Sequence, residues 1–175
     1  MIIPYLAVYV TVGFCFLILP FLLLLIRNGK KRNIFVFISF AIYLVVLAIG
    51  VFGQIDYLEK GVKIGFVFGN KWGGKNIDYT FSVLSGRDII FNLVMLLPLG
   101  IFIEYILRNK PYGKRIFCLV VFGFLCGALI ETMQYILPIT RTVQVSDAVF
   151  NMISTIIGGA IGRVYLYVLR KRLKN

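Results

Sequence analysis

Asp88 and Asn92 stand four residues apart, Glu131 and Gln134 three apart, and Asp147 and Asn151 four apart. Those spacings set each carboxylate–amide pair on one face of a helix. Carboxylates so placed could move protons, or hold a hard divalent cation together with the amides. Each pair lies within or at the start of a long apolar stretch. Ionisable groups in such stretches are costly, so they usually face a bundle interior and mark a functional site. Arg141 adds a cation suited to a phosphate or carboxylate. The chain has no histidine. That removes His-based zinc sites, Ser–His–Asp and Cys–His triads and histidine relays. Acid–base work would fall to Asp, Glu, Lys, Tyr or a bound ion. Cys15, Cys118 and Cys126 lie in apolar runs without C-x-x-C spacing and read as small buried hydrophobes.

The elements that must position these residues are membrane spans. Hydrophobic residues make up 60% of the chain and charged residues 15%, far from a soluble domain's balance. Five apolar stretches, at about 2–26, 34–53, 88–107, 116–137 and 148–169, each have roughly the 20 residues a bilayer crossing needs. The first is broken only by Thr11, Pro4 and Pro20. It has no basic leader and is longer than a signal peptide's apolar core, so it reads as a retained helix. The expected fold is all-α: one polytopic membrane helix bundle, residues 1–175, with five transmembrane helices.

A formal charge of +12 could point to nucleic acid. The basic residues, however, sit in short clusters beside apolar runs, which excludes a nucleic-acid stripe and fits membrane anchoring. Arg27, Lys30, Lys31 and Arg32 join the first two spans; Arg108, Lys110, Lys114 and Arg115 join the third and fourth; Arg170, Lys171, Arg172 and Lys174 close the chain. Five spans put all three clusters on one side, the cytoplasmic one by the positive-inside rule, with the N-terminus outside and the C-terminus inside. The outer loop 54–87 competes, because it holds Lys60, Lys63, Lys71, Lys75 and Arg87. Within it, Val62–Phe68 and Ile77–Val83 are β-prone and flank a turn-rich segment. A small β-hairpin over the bundle mouth fits that pattern, and so does a surface loop with aromatics at the lipid interface.

In this topology six polar groups and Arg141 could converge near the outer leaflet. At 1.5 Å per residue, Glu131 lies roughly 9 Å below the outer end of its span. Each residue also has a plainer role. Asp147 and Asp88 could cap their helices, and Asn92 and Asn151 could be interhelical hydrogen-bond glue. Glu131 is harder to explain so, because Ala128, Leu129, Ile130 and Met133 surround it in sequence. Pairing with Arg141, or neutralisation through a raised pKa, would relieve it. Glu104, near the inner end of its span, is read as an ion pair with Arg108 at i+4 and left outside the site. Gly123-x-x-x-Gly127 and Gly158-x-x-x-Gly162 fit close approach of the fourth and fifth spans. Pro98 should kink the third span and free a carbonyl.

Asn92-Leu-Val-Met-Leu-Leu-Pro98-Leu-Gly100, then Glu131-Thr-Met-Gln134, then Arg141, Asp147, Asn151, Gly158 and Gly162 follow one another in order. This series resembles the VanZ-like membrane family over about Asp88 to Gly162. The outer loop departs from the family pattern, since Asn76-Ile-Asp-Tyr-Thr-Phe81 lacks its proline. The resemblance implies a multi-pass protein of the bacterial cytoplasmic membrane. The family's namesake is associated with resistance to teicoplanin-type glycopeptides, which bind cell-wall precursors at the outer surface. The expected function is an outer-leaflet polar site that binds or modifies a lipid-linked or cell-envelope ligand, the partner being a membrane lipid or such a precursor. Glu131 and Asp147 are its candidate acid/base groups, and Asn92, Gln134, Arg141, Asn151 and Asp88 are its ligand-binding groups. The alternatives are a small proton- or cation-coupled transporter or flippase, and a non-catalytic membrane assembly partner. No cofactor or resident metal is specified by these residues.

Overall fold

In a lipid environment every backbone polar group must find a partner inside the protein, which leaves helices as the spanning element for a chain this apolar. The computed structural model describes residues 26, 28–52, 54–58, 61–65, 77–78, 86–136 and 143–174. The expected first span therefore lies outside the described residues, except for Ile26. Helix α1 covers Gly29–Phe52, α2 Gly86–Met95, α3 Leu97–Ile106, α4 Tyr112–Ile136 and α5 Val145–Lys174. Among the described residues, four helices are long and apolar enough to cross a membrane: Gly29–Ala48, Ile89–Ile106 (α2 and α3 together), Tyr112–Ile136 and Val145–Leu173.

Local sequence sets the boundaries. Helix α1 starts a turn before the apolar run because the Asn28 side chain accepts from the Lys30 and Lys31 amides at 3.0 and 3.2 Å. The third span breaks at Leu96, just before Pro98 in the first turn of α3. Proline lacks the N–H that would bond four residues back, so the ladder opens there. Neighbouring helices take up the freed groups. The Leu96 amide donates to Ser154 Oγ of α5 at 3.2 Å, and the Tyr43 hydroxyl of α1 donates to the Met95 carbonyl at 2.9 Å.

Short strands lie between α1 and α2 and before α5. β1 (Gln54–Leu58) pairs antiparallel with β2 (Gly61–Gly65), Ile55 opposite Ile64. β3 (Ile77–Asp78) pairs in parallel with β4 (Val143–Gln144). The pairing expected from the sequence, Val62–Phe68 with Ile77–Val83, is replaced. The strand in the first of those segments turns back on residues just after α1, while Ile77–Asp78 reaches the start of α5.

Helix α5 is the centre of the bundle. Its glycines allow other backbones to touch it: a Cβ on Gly158 would collide with the Leu97 carbonyl, and one on Gly162 would lie 3.1 Å from Ile101 Cα. A Cβ on Gly127 of α4 would lie 2.9 Å from Ala148 Cα, and one on Gly123 would lie 2.8 Å from Thr155 Cβ. The two glycine motifs thus serve different seams. Gly123 and Gly127 join α4 to α5, as their spacing predicts, whereas Gly158 and Gly162 face α3, with Gly159 between them meeting Leu119 of α4. Helix α1 joins through aromatic packing, Phe40 stacking on Phe102 at 3.6 Å. Phe117, Val164 and Tyr167 point outward, 66%, 65% and 70% exposed, as side chains against lipid would.

One carboxylate ties three helices together. Glu104 of α3 is 0% exposed and takes Arg115 of α4 and Arg163 of α5, the latter at 3.3 Å. The expected partner, Arg108, instead donates to the Tyr105 carbonyl and lies over the Tyr105 ring. An i+4 position points along the helix surface, while Glu104 faces inward, where residues distant in sequence meet it.

Two outcomes follow. Gly158→Ala should lower the unfolding temperature in detergent by an overpacking cost of about 1–3 kcal/mol. Gly113→Ala, with open space around it, should be neutral or mildly stabilising. Glu104→Gln should cost near the lower end of the roughly 3–5 kcal/mol of a broken buried pair, because Arg163 is 39% exposed and can be solvated. Thermal unfolding of the purified chain measures both.

Candidate functional site

The helix register decides which polar residues can meet. Leu96 opposes Ser154, Leu97 opposes Gly158 and Ile101 opposes Gly162, so α2–α3 run parallel to α5. One turn back along both helices lie Asn92 and Asn151, at a common level. Helix α4 runs antiparallel to α5, since Gly123 meets Met152 and Thr155, and Gly127 meets Ala148 and Asn151. One turn on from Gly127 stands Glu131, whose Oε2 accepts from the Gln144 amide at 3.0 Å, just ahead of α5. Gln134 lies one turn further. The bundle therefore gathers Asn92, Glu131, Gln134, Asp147 and Asn151 at one end.

Four of these five are buried: Asn92, Glu131, Gln134 and Asn151. Asp147 is half-buried in the first turn of α5. It stands third in the helix rather than ahead of it, so it complements the helix dipole from within the first turn. Asp88 stands third in α2, and its side chain is outside the described residues. Arg141 also lies outside them. The expected pairing of Glu131 with Arg141 lies outside the described residues; within them, a backbone N–H at the mouth of α5 donates to its Oε2. Such an amide is an orphan donor at any helix start, so the carboxylate of α4 caps α5 from across the seam. The β3–β4 pair brings the Ile77–Asp78 backbone against Val143–Gln144, beside this contact.

Asn151 is the outlier. It is 0% exposed, and among the described residues neither its side-chain nitrogen nor its oxygen has a hydrogen-bond partner. Ser146, five residues earlier and also buried, has a hydroxyl unpartnered among the described residues too. A buried polar group left unsatisfied costs about 1–3 kcal/mol, and native structures retain few of them. Packing alone gives no account of an amide held this way against Gly127.

Ser154 and Thr155 were not singled out by sequence spacing, yet both are fully buried on the same face as Asn151. The signal was available: Asp147, Asn151, Ser154 and Gly158 recur at three and four residues along one helix stripe. Each hydroxyl has a defined partner. Ser154 receives the Leu96 amide, and Thr155 donates to the Asn151 carbonyl at 3.0 Å. In the lower part of α5, Arg163 reaches Glu104 and lies over the Tyr112 ring at 4.2 Å. Among the described residues, no group of three or more Cys, Asp or Glu side chains is arranged to hold a metal ion.

The order of these residues along the chain can now be set beside known proteins. The model of the VanZ/LLP1 family matches residues 6–168. The chain belongs to the VanZ/LLP1 family. Nothing among curated proteins or solved structures matches it. In this VanZ/LLP1 chain, Asn92, Glu131, Gln134, Asp147 and Asn151 all fall inside the matched region, and the fold brings them to one end of the bundle.

The two buried polar residues on α5 should respond oppositely to truncation. Asn151→Ala removes two unsatisfied atoms and should leave stability within about 1 kcal/mol of wild type, whereas Ser154→Ala strands the Leu96 amide and should cost about 1–3 kcal/mol. Thermal unfolding of both variants checks the ordering, and the reverse order would make Asn151 a structural residue.

Proposed function

We propose that Asn92, Glu131, Gln134, Asp147 and Asn151 form a ligand site at the outer end of a multi-pass protein of the bacterial cytoplasmic membrane. The ligand is the polar portion of a lipid-linked or cell-envelope molecule. One observation carries this reading: the fully buried Asn151 amide, with neither polar atom partnered among the described residues, one turn from Asp147 on α5 and packed against Gly127, one turn before Glu131 on α4. An amide both donates and accepts, and the adjacent carboxylates accept from hydroxyl or amine groups, so together they match a hydroxyl- or amine-rich headgroup. Arg141, close ahead of α5 in sequence, would supply the complement to a phosphate or carboxylate. If the ligand is also altered chemically, Glu131 is the acid/base group, because burial can tune a carboxyl towards neutrality.

The outward orientation rests on the basic residues. Asn33 of α1 accepts from the Tyr105 hydroxyl of α3 at 2.6 Å, and Arg170 of α5 donates to the Arg108 carbonyl at 3.2 Å. Lys30–Arg32, residues 108–115 and residues 170–174 therefore lie at the end opposite the carboxylate–amide cluster. The positive-inside rule makes that basic end cytoplasmic, with the C-terminus inside and, by way of the first apolar stretch, the N-terminus outside. A binding site fits better than a transport path. Between Thr155 and Glu104, glycines 158, 159 and 162 are closed against Leu97, Leu119 and Ile101, which leaves no polar route through that seam.

The test is teicoplanin susceptibility of bacteria carrying wild type, Glu131→Gln, Asp147→Asn or Asn151→Ala at matched membrane levels. The expected outcome is protection by wild type and loss of most of it in each variant. Variants that protect like wild type would reduce the cluster to packing. A wild type without effect would remove the glycopeptide link.

A further inference from the structure

The basic end holds a second unexplained polar group, and it involves none of the residues in the proposed ligand site. Arg32, in the first turn of α1, has its Nε and Nη1 buried and, among the described residues, without a hydrogen-bond partner. Tyr165 of α5 is 8% exposed, and its hydroxyl is likewise unpartnered. Both belong to one corner of the bundle: Asn33, next to Arg32, accepts from the Tyr105 hydroxyl, and Tyr105 shares a buried cluster with Val36 and Tyr165. The groups nearby are already committed. The Tyr105 hydroxyl donates to Asn33, Arg108 is held by the Tyr105 carbonyl and ring, and Glu104 is taken by Arg115 and Arg163. Among the described residues, Arg32 has no ion-pair partner.

A half-buried guanidinium with unused donors is expensive unless an anion meets it. Arg32 and Tyr165 offer donors and positive charge, and among the described residues no carboxylate pairs with them. Their complement is a group that only accepts and carries negative charge, which describes a phosphate. The surroundings favour a phosphate attached to lipid. Val36, Leu166 and Leu169 form a buried apolar wall with Tyr105 and Tyr165, suited to the first methylenes of an acyl chain. Lys30 and Lys31 are exposed at the same end of α1, and Arg170, Lys171 and Arg172 are exposed at the end of α5. Ile34, Phe37 and Ile38 of α1 face outward, 60%, 56% and 55% exposed, so the notch borders the membrane.

We infer that Arg32 and Tyr165, where α1, α3 and α5 meet, bind the phosphate of an anionic phospholipid. Basic notches between helices near the cytoplasmic face are a recurrent way of holding such headgroups. The bound lipid neutralises Arg32 and joins the ends of α1 and α5, which no ion pair among the described residues does at this point.

Native mass spectrometry of the purified full-length chain tests this, with phosphatidylglycerol and phosphatidylcholine offered together in detergent. Wild type should retain phosphatidylglycerol about tenfold better, and Arg32→Gln should lose roughly fivefold or more of that retention, the worth of a basic residue at a lipid surface. Tyr165→Phe should weaken it in the same direction. Lys171→Gln, which removes an exposed surface charge, should weaken it much less than Arg32→Gln. Inorganic phosphate at millimolar concentration distinguishes the source. Displacement of the lipid, absent in Arg32→Gln, assigns the same phosphate site to a soluble anion. If Arg32→Gln does not fold, Tyr165→Phe decides, because it deletes one hydroxyl and keeps the ring. Equal retention of both lipids without phosphate binding, or unchanged retention in Arg32→Gln and Tyr165→Phe, overturns the inference.

Discussion

Close backbone contact along α5 governs this bundle. Inside a bilayer, lipid tails are as apolar as leucine side chains, so burial of hydrocarbon contributes little to helix association. Association must come from dispersion between closely fitting surfaces and from interhelical hydrogen bonds. The seam formed by Gly158, Gly159 and Gly162 allows α3 and α4 to approach where any Cβ would collide or crowd. That approach brings Ser154 to the open ladder at Leu96 and Arg163 to Glu104. It also fixes the level at which Asn92, Glu131 and Asn151 stand. Moving the seam by one turn would change every one of those pairings.

The same contact explains why polar residues tolerate burial here. The break at Leu96 exposes an amide and a carbonyl that lipid could not satisfy. Ser154 and Tyr43, from two different helices, take them. Glu131 receives the amide that opens α5. These bonds turn what would be defects in isolated helices into connections between helices. Asn151 stands in the middle of this arrangement with both polar atoms unmatched. A bundle that satisfies its kinked backbone so fully, yet leaves a central amide without partners, spends stability on something other than assembly. For that reason the carboxylate–amide end reads as a site.

Polar chemistry is divided between the two ends. One end is acidic and amide-rich, with Glu131, Asp147, Asn92 and Asn151. The other collects arginine and lysine from α1, the α3–α4 connection and the end of α5. The closed glycine seam separates them. In a membrane this gives a polarised molecule, with ligand recognition proposed on one face and phospholipid contact inferred on the other.

Much of this was legible in the sequence. Apolar run length predicts helices wherever residues are described, because a bilayer's thickness fixes the number of residues required. Pro98 marks the break, since the missing N–H is a property of the residue itself. The spacing of Asn92, Glu131, Gln134, Asp147 and Asn151 sets them on helix faces, and their order along the chain carries the family resemblance. Other features depend on which helix lies beside which, and spacing within one helix holds no such information. Gly158 and Gly162 could face any neighbour, and only the fold gives them to α3. Glu104 could pair with Arg108 by sequence distance, but it faces inward and takes Arg115 and Arg163. Ile77–Asp78 could fold back on Val62–Phe68, but it joins Val143–Gln144, since strands pair with whatever edge the helices present. The sequence by itself determined the spans and the inventory of polar groups, because both follow from local chemistry. The tertiary structure alone decided the partners, and so which polar groups are satisfied, because partnership is set by the register of helices far apart in the chain.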